Sequence, residues 1–412
     1  MSEKVSVECC VIGGGPAGMM LGLLLARAGV NVLVLEKHAD FLRDFRGDTV
    51  HPSTLQIMYE LGLLDRLLEL PHSRIEELTV RFGDSDVTVA SFKNLPIRCR
   101  FVAIMPQWEF LNFIAREAER YSSFRLMMNT EATDLIEREG KIVGVAAHGP
   151  NGPLEILARL VVGADGRQSG FPERAGLEAE ELGVPMDVFW FRLSRHVADD
   201  PSQAGGRFDR GRILVLIPRV GYWQVGYVIP KGSAERIRGV GLEAFRDMVG
   251  GAAPFARDRV QEIRSWDDVK LLTVRINRLR RWFRPGLLFI GDAAHAMSPV
   301  GGVGINLAIQ DAVATANAVA VPLREDRLTT SDLERVQRRR ELPMRATQKL
   351  QMVMQEAVIR PNLRAENKVG RMPIAFQLLR VFPPLRRVPA YLIGMGLRPE
   401  HVRTPTIPGS PG

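Results

Sequence analysis

Apolar positions near the start of the chain fall into two short continuous runs, VECCVI and VNVLVLE, with a small-residue stretch between them. Short apolar runs rich in β-branched residues predict strands, and the intervening GGGPAGMMLGLLLARAG predicts a glycine turn and a helix. The opening therefore reads as a parallel β-α-β unit, and a helical stretch, PSTLQIMYELGLLDRLLEL, follows it. From Ile75 to Ala103 the pattern turns to strands (LTVRFGD, VTVASF, CRFVAI), then to a helix over Gln107 to Tyr121 with Phe110, Leu111, Phe113 and Ile114 on one face. IVGVAAHG and LEILARLVVGADG read as strands joined by an NGP turn.

A second strand-rich region carries DVFWFRLSR, RILVLIPR and YWQVGYVIP, followed by a helical LEAFRDMV. VKLLTVRINRLRRWFRPGLLFIGDAAH returns to strand and ends in a Gly-Asp turn. Asn306 to Val321 predicts a small-residue helix stopped by Pro322. A longer polar helix is expected over 331–360, short helical pieces broken by prolines over 361–403, and a disordered tail in TPTIPGSPG. The expected class is α/β. A discontinuous domain over 1–74, 104–182 and 265–330 is interrupted by a mostly antiparallel sheet over 75–103 and 183–264, and a helical region covers 331–412.

The 412 residues suffice for two or three domains, with 46% hydrophobic and 25% charged residues, as in ordinary globular chains. No charge-free apolar run reaches spanning length, and MSEKVSVE does not read as a signal peptide, so a cytoplasmic location is the expectation. The adjacent Cys9 and Cys10 point to opposite faces of a strand and cannot jointly ligate a metal; with Cys99 they read as buried thiols. The net charge of +8 is concentrated at the end. Residues 331–412 hold 15 Lys/Arg against 6 Asp/Glu. This predicts either a solvated helical cap or a surface meeting a membrane or another acidic partner; nothing points to nucleic acid.

Chemistry enters with the glycines. Gly13, Gly15 and Gly18 have G-x-G-x-x-G spacing around Pro16 and Ala17, and Glu36 closes the second strand 18 residues beyond Gly18. Such a corner permits a tight turn, close approach of a pyrophosphate to the backbone, a helix end offering free N–H groups, and a carboxylate for a ribose. Asp165 ends the strand of VVGADG, and Gly291 and Asp292 end that of LLFIGD. Beyond them Gly301, Gly302 and Gly304 lead directly into a helix, a second cluster of free N–H groups suited to negative charge.

GGGPAG, GADG and GDAAHAMSPVGGVGINLAIQDA, in this order, resemble the single-component FAD-dependent aromatic hydroxylases, the para-hydroxybenzoate hydroxylase-like class A flavoprotein monooxygenases. The resemblance covers about residues 5–325. It implies a Rossmann-type FAD-binding domain, an inserted substrate sheet, and hydroxylation of a hydrophobic aromatic, polyketide or quinone-like substrate by NADH or NADPH and O2 through a flavin C4a-hydroperoxide. It further implies that Gly13, Gly15 and Gly18 hold the pyrophosphate and Glu36 the adenosine ribose. Arg46 and Gln107 would contact the phosphate and ribityl region, and Asp292 the ribityl hydroxyls. Pro299 would lie beside the isoalloxazine, with backbone groups of Gly304, Ile305 and Asn306 at its pyrimidine edge; Asp165 would serve both FAD and NAD(P)H. One departure stands out: the family commonly continues the middle motif as Ser-x-x-Arg, whereas Ser169-Gly170-Phe171 is followed by Pro172.

Among the insert strands, Trp190, Arg192, Trp223 and Tyr227 are candidate substrate contacts, and alternation must send some of them to the back. No side-chain nucleophile, paired-carboxylate site or metal cluster is needed, and His51 and His295 read as supporting residues. The alternative is a reductase of an isoprenoid or quinone-like substrate on the same scaffold. A flavin halogenase is disfavoured because no tryptophan fits W-x-W-x-I-P.

Overall fold

The two apolar runs of the opening motif lie side by side, Glu3–Ile12 parallel to Val32–Leu35 with Cys9 opposite Val32. The computed structural model describes residues 3–42, 48–200, 204–364 and 372–407. On its other edge Glu3–Ile12 pairs in parallel with Gly152–Gly163. Phe124–Met127 and Leu287–Phe289 extend this parallel core outward, and the antiparallel strands Glu131–Arg138, Lys141–Gly149 and Phe283–Arg284 complete eight strands. All four residues of Val32–Leu35 are buried, as expected for a strand covered on both faces. The helices Pro16–Arg27 and Gly304–Arg324 pack against each other, and both are apolar along most of their length.

The two strand-rich excursions join in one seven-stranded sheet. Its order is Lys270–Leu272, Met186–Ser194, Tyr222–Pro230, Arg212–Pro218, Gly205–Asp209, Glu77–Phe82 and Ser85–Ser91. Every neighbouring pair is antiparallel except Gly205–Asp209 with Glu77–Phe82. Val102–Ile104 does not join it; with Thr49–Val50 and Ser73–Ile75 it forms a separate three-stranded sheet.

Pleating gives the seven-stranded sheet two different faces. The back, with Phe189, Phe191, Trp223 and Val225, packs on Phe245 and Val249 of the helix Leu242–Ala252. The front, with Val188, Val228, Ile213 and Phe82, packs on Val300 and on Val358, Ile359 and Phe376 of the C-terminal region. That region opens with the helix Thr330–Met354, started by a capping box between Thr329 and Asp332, and later includes the short helices Ile374–Val381 and Arg387–Gly394.

Two local expectations are corrected. Pro322 does not stop its helix, which runs from Gly304 to Arg324. Proline in the last turn forfeits a single hydrogen bond, and the chain leaves the helix two residues later in any case. The closing segment is not loose up to Ile407: Thr404 is buried and accepts from Arg27, and Ile407 N–H donates to the Arg27 carbonyl. Cys9, Cys10 and Cys99 are free thiols, all buried.

Candidate functional site

The opening corner is held shut by its glycines. Gly13 has φ +103°, and a Cβ there would stand 2.6 Å from the Ala164 carbonyl oxygen, so the first and middle motifs touch through backbone. A Cβ on Gly18 would lie 1.9 Å from the Gly13 carbonyl oxygen, which only glycine permits. Gly15 differs. The nearest atom to its added Cβ is 4.0 Å away, so the space beside it is open for a ligand. Pro16 occupies the first helical position, where its missing N–H costs nothing, and Ala17 is buried against the Gly291 corner.

Glu36 is buried at the end of the second strand. Its Oε2 accepts from Gly14 N–H at 3.0 Å and its Oε1 from His38 N–H at 3.1 Å. The carboxylate is thereby fixed beside the glycine turn. Asp165 is exposed at the end of Gly152–Gly163. Asp292 is half-buried and accepts from Arg167 Nη2 at 3.0 Å, an ion pair between the middle and late motifs. Arg167 escaped the sequence reading because its partner lies 125 residues away. Arg174, which follows the departure at Pro172, donates to the Thr133 carbonyl instead.

The late glycine loop is tied to the segment Asp48–Val50. Gly301 and Gly302 have φ +81° and +64°, and Thr49 Oγ1 donates to the Gly302 carbonyl at 2.8 Å. Gly304 then opens a 21-residue helix with no side-chain cap and no acidic residue in its first turn. Nothing lies within 4 Å of a Cβ built on Gly304. Its helix end is thus a set of free N–H groups at the positive pole of a dipole, with room beside it.

Asn306 is turned away from that opening. Its Oδ1 accepts from His51 N–H at 3.0 Å and from Thr54 Oγ1 at 2.7 Å, so its side chain clips the helix to the next element. Ile305 is partly buried on the large core and Pro299 is half-buried. His51 contacts the Ile393 carbonyl at 2.7 Å, and burial pulls its pKa down to about 4 against that contact, which keeps it neutral. His295 Nε2 lies 2.6 Å from Asp311 Oδ2, and the same carboxylate accepts from Gly291 N–H and Arg340 Nε. Burial alone would raise the Asp311 pKa; His295 and Arg340 outweigh it and hold the carboxyl below its ordinary range. This network supports the Gly291 corner from beneath.

Gln107 opens the helix Gln107–Ala118, and its N–H donates to Asp48 Oδ1 at 3.0 Å. Asp48 also accepts from Arg219, whose Nε and Nη2 hold Gln224 Oε1. Neither Asp48, Arg219 nor Gln224 was singled out from sequence. Arg46 lies outside the described residues.

The four aromatic and basic candidates of the insert separate cleanly. Trp190 and Arg192 are on the front face: Trp190 packs beside Val188 and Val300, and Arg192 is exposed over the Tyr222 ring at 5.1 Å. Trp223 and Tyr227 are corrected as substrate contacts. Both are buried on the back face, Trp223 donating to Asp199 at 2.7 Å and Tyr227 packing edge-on to Phe245. Gln224, Gly226 and Val228 alternate with them and take the front.

The pieces present fit a dinucleotide flavin. A glycine cradle, an open Gly15, an anchored Glu36, Asp292 and an uncapped helix end at Gly304 are the donors and acceptors such a cofactor needs. A family profile described as FAD binding domain matches residues 6–349. The chain is 29% identical over 392 residues to 6-methylpretetramide 4-monooxygenase of Streptomyces rimosus, covering 92% of each. It is 26% identical to digeranylgeranylglycerophospholipid reductase 1 of Methanopyrus kandleri, covering 82% of this chain and 87% of that one. Among solved structures, OxyS anhydrotetracycline hydroxylase from Streptomyces rimosus superposes with TM-score 0.75 at 22% identity, over 95% of this chain and 76% of that one.

Proposed function

The chain belongs to the FAD binding domain family, and from that premise we propose that it is an FAD-dependent monooxygenase hydroxylating a hydrophobic aromatic or polyketide-like ring with NADH or NADPH as reductant. The similarity to 6-methylpretetramide 4-monooxygenase over nearly the whole of both chains supports the reaction class. Bound FAD would supply the redox chemistry of such a reaction, hydride acceptance and O2 activation.

This chain's residues bind, orient and shield. The N–H groups at Gly15 and the start of Pro16–Arg27 take the pyrophosphate, Glu36 the adenosine ribose, and Asp292 the ribityl chain. The helix end at Gly304 would stabilise negative charge on a flavin held beside it. Trp190 and the apolar front face orient a ring-shaped substrate, and the C-terminal Val358, Ile359 and Phe376 exclude water from that face.

The observation that carries the reading is the double contact of the late glycine loop. Gly302 is bound to Thr49 on the cofactor side, while Val300 packs in the front-face cluster with Trp190. One loop therefore joins the flavin corners to the substrate sheet. The test is the purified protein itself, expected yellow with FAD. Phenols and polyketides are screened for faster NAD(P)H oxidation and a product one oxygen atom heavier. A colourless protein that takes up no FAD overturns the reading. NAD(P)H consumption with a reduced product and no oxygen incorporated assigns the reductase chemistry instead.

A further inference from the structure

The outer surface of the two short C-terminal helices is apolar and cationic. On Ile374–Val381, Ile374, Leu378 and Val381 recur at i, i+4 and i+7, and all three are exposed. The stripe continues through Phe382 and Leu385 in the connecting turn to Val388 and Tyr391 on Arg387–Gly394. Ile374 is 72% exposed and Phe382 55%, so much of this apolar surface is left in solvent by the fold. The opposite sides of the same helices are anchored: Phe376 is buried against Phe82, and Ala390 is buried beside Phe92. Leu379, Leu392 and Ile393, apolar positions of this stretch, are turned inward or half-buried.

Charge selects the occupant. Residues 372–399 contain four arginines, at 380, 386, 387 and 398, and no aspartate or glutamate. Arg380 and Arg387 are exposed beside the apolar stripe. A second copy meeting this face with its own, as in a two-fold dimer, would set arginines against arginines with no acid from the stretch to balance them. An anionic bilayer offers both what the stripe lacks and what the arginines seek. Short helices lying flat, apolar side chains dipping below the headgroups and arginines among the phosphates form an interfacial anchor. Among the described residues no helix is long and apolar enough to cross a membrane, which leaves surface docking as the mode.

We propose that the surface formed by Ile374–Val381, the turn through Leu385 and Arg387–Gly394 docks this protein on anionic lipid bilayers. The helix Ile374–Val381 joins the front-face cluster through Phe376, which meets Phe82 on Glu77–Phe82, so docking brings the lipid surface to that end of the apolar face, whose other end carries Trp190. A lipophilic ring compound dissolved in the bilayer then lies next to the cap.

The test uses the full chain with its flavin bound. It is sedimented with phosphatidylcholine vesicles and with phosphatidylcholine–phosphatidylserine vesicles, at low and high salt. Binding is expected only to the phosphatidylserine-containing vesicles and is expected to weaken with salt. Arg380→Glu together with Arg387→Glu should lower partitioning by at least about tenfold, each arginine near the surface being worth about fivefold. Phe382→Ser with Val388→Ser should lower it at every salt concentration. Flavin content and melting temperature are read alongside; because the altered side chains are exposed, both are expected to stay at parent values. Absence of binding, equal binding to both lipids, or parent-like binding of both folded variants overturns the proposal. So does a concentration-dependent dimer that Phe382→Ser breaks while vesicles go unbound.

Discussion

Arg219 donates to the carboxylate of Asp48 across the join between the seven-stranded sheet and the cofactor-binding body, and both side chains are nearly buried. Asp48 stands next to Thr49, which holds the Gly302 loop, and its other oxygen accepts from Gln107 N–H. A single carboxylate thus ties the seven-stranded sheet to the helix that Gln107 opens, one residue from the Thr49 contact to the late glycine loop.

Burial pushes the Asp48 carboxyl up to about 6, outweighing the opposing pull of Arg219, the Gln107 N–H and Arg192. Between roughly pH 4 and 6 the folded chain therefore binds more protons at this site than the unfolded chain does. Stability from this group is greatest below that window and falls as pH rises through it. Asp48→Asn should flatten the decline in melting temperature across pH 4–6. Arg219→Gln leaves a buried carboxylate without its cation and should cost about 3–5 kcal/mol at neutral pH. Denaturant melts of both variants and of the double variant check this. Additive single effects with an unchanged pH slope would mean that the pair is not coupled.

The glycine corner separates folding from binding. Gly18→Ala must force the Pro16–Arg27 helix away from the strand, because the new methyl would overlap the Gly13 carbonyl. The expected outcome is a poorly folded chain. Gly15→Ala meets no protein atom closer than 4.0 Å at an extended φ of −75°, so its melting temperature should stay near the parent's. Its methyl instead occupies the open space proposed for the pyrophosphate, and FAD affinity should drop at least about tenfold. Thermal melts paired with flavin titration distinguish the two. A Gly15→Ala protein with full flavin affinity would remove that position from the phosphate site.

How far the site could be read in advance follows from how local each signal is. Gly13, Gly15, Gly18 and Glu36 declare themselves because a turn, a helix start and a strand end lie within one short stretch. Gly301 and Gly302 do so too, since consecutive glycines before a helix leave few other readings. Arg167 with Asp292 and Asp48 with Arg219 were invisible, their members being 125 and 171 residues apart. Alternation in YWQVGYVIP showed that Trp223 and Tyr227 share a face. It could not show that the helix Leu242–Ala252 would cover that face rather than the other. The C-terminal region was legible as positive charge and short helices, while which apolar side chains turn outward depended on where Phe376 and Ala390 found their pockets.

Asp292 bears on cofactor retention. Its carboxylate is paired with Arg167, which links the middle and late corners. Asp292→Ala removes both the proposed ribityl acceptor and that pairing, and flavin occupancy after purification should fall sharply. Arg167→Met removes only the pairing and should lower occupancy less. Absorbance of released flavin per chain measures both. Full occupancy in Asp292→Ala would take the late motif out of the binding site.

The two tryptophans on neighbouring strands give the sharpest contrast. Trp190 is half-buried on the front face, and its Nε1 is buried with no hydrogen-bond partner, so a substrate oxygen there would satisfy an otherwise unpaired donor. Trp190→Ala should raise KM several-fold for the ring substrate that stimulates NAD(P)H oxidation, with flavin content unchanged. Trp190→Phe, which keeps the ring and loses the donor, should recover part of that loss. Trp223 is fully buried on the back, donates to Asp199 and meets Phe255 edge-on. Trp223→Ala should cost about 3–5 kcal/mol of stability through the cavity it leaves, without a specific change in KM for whatever enzyme remains folded. Steady-state kinetics and thermal melts on the same preparations decide the matter. If Trp223→Ala kept the parent's melting temperature and raised KM while Trp190→Ala did neither, the faces would be reversed and the substrate would sit under the helix Leu242–Ala252.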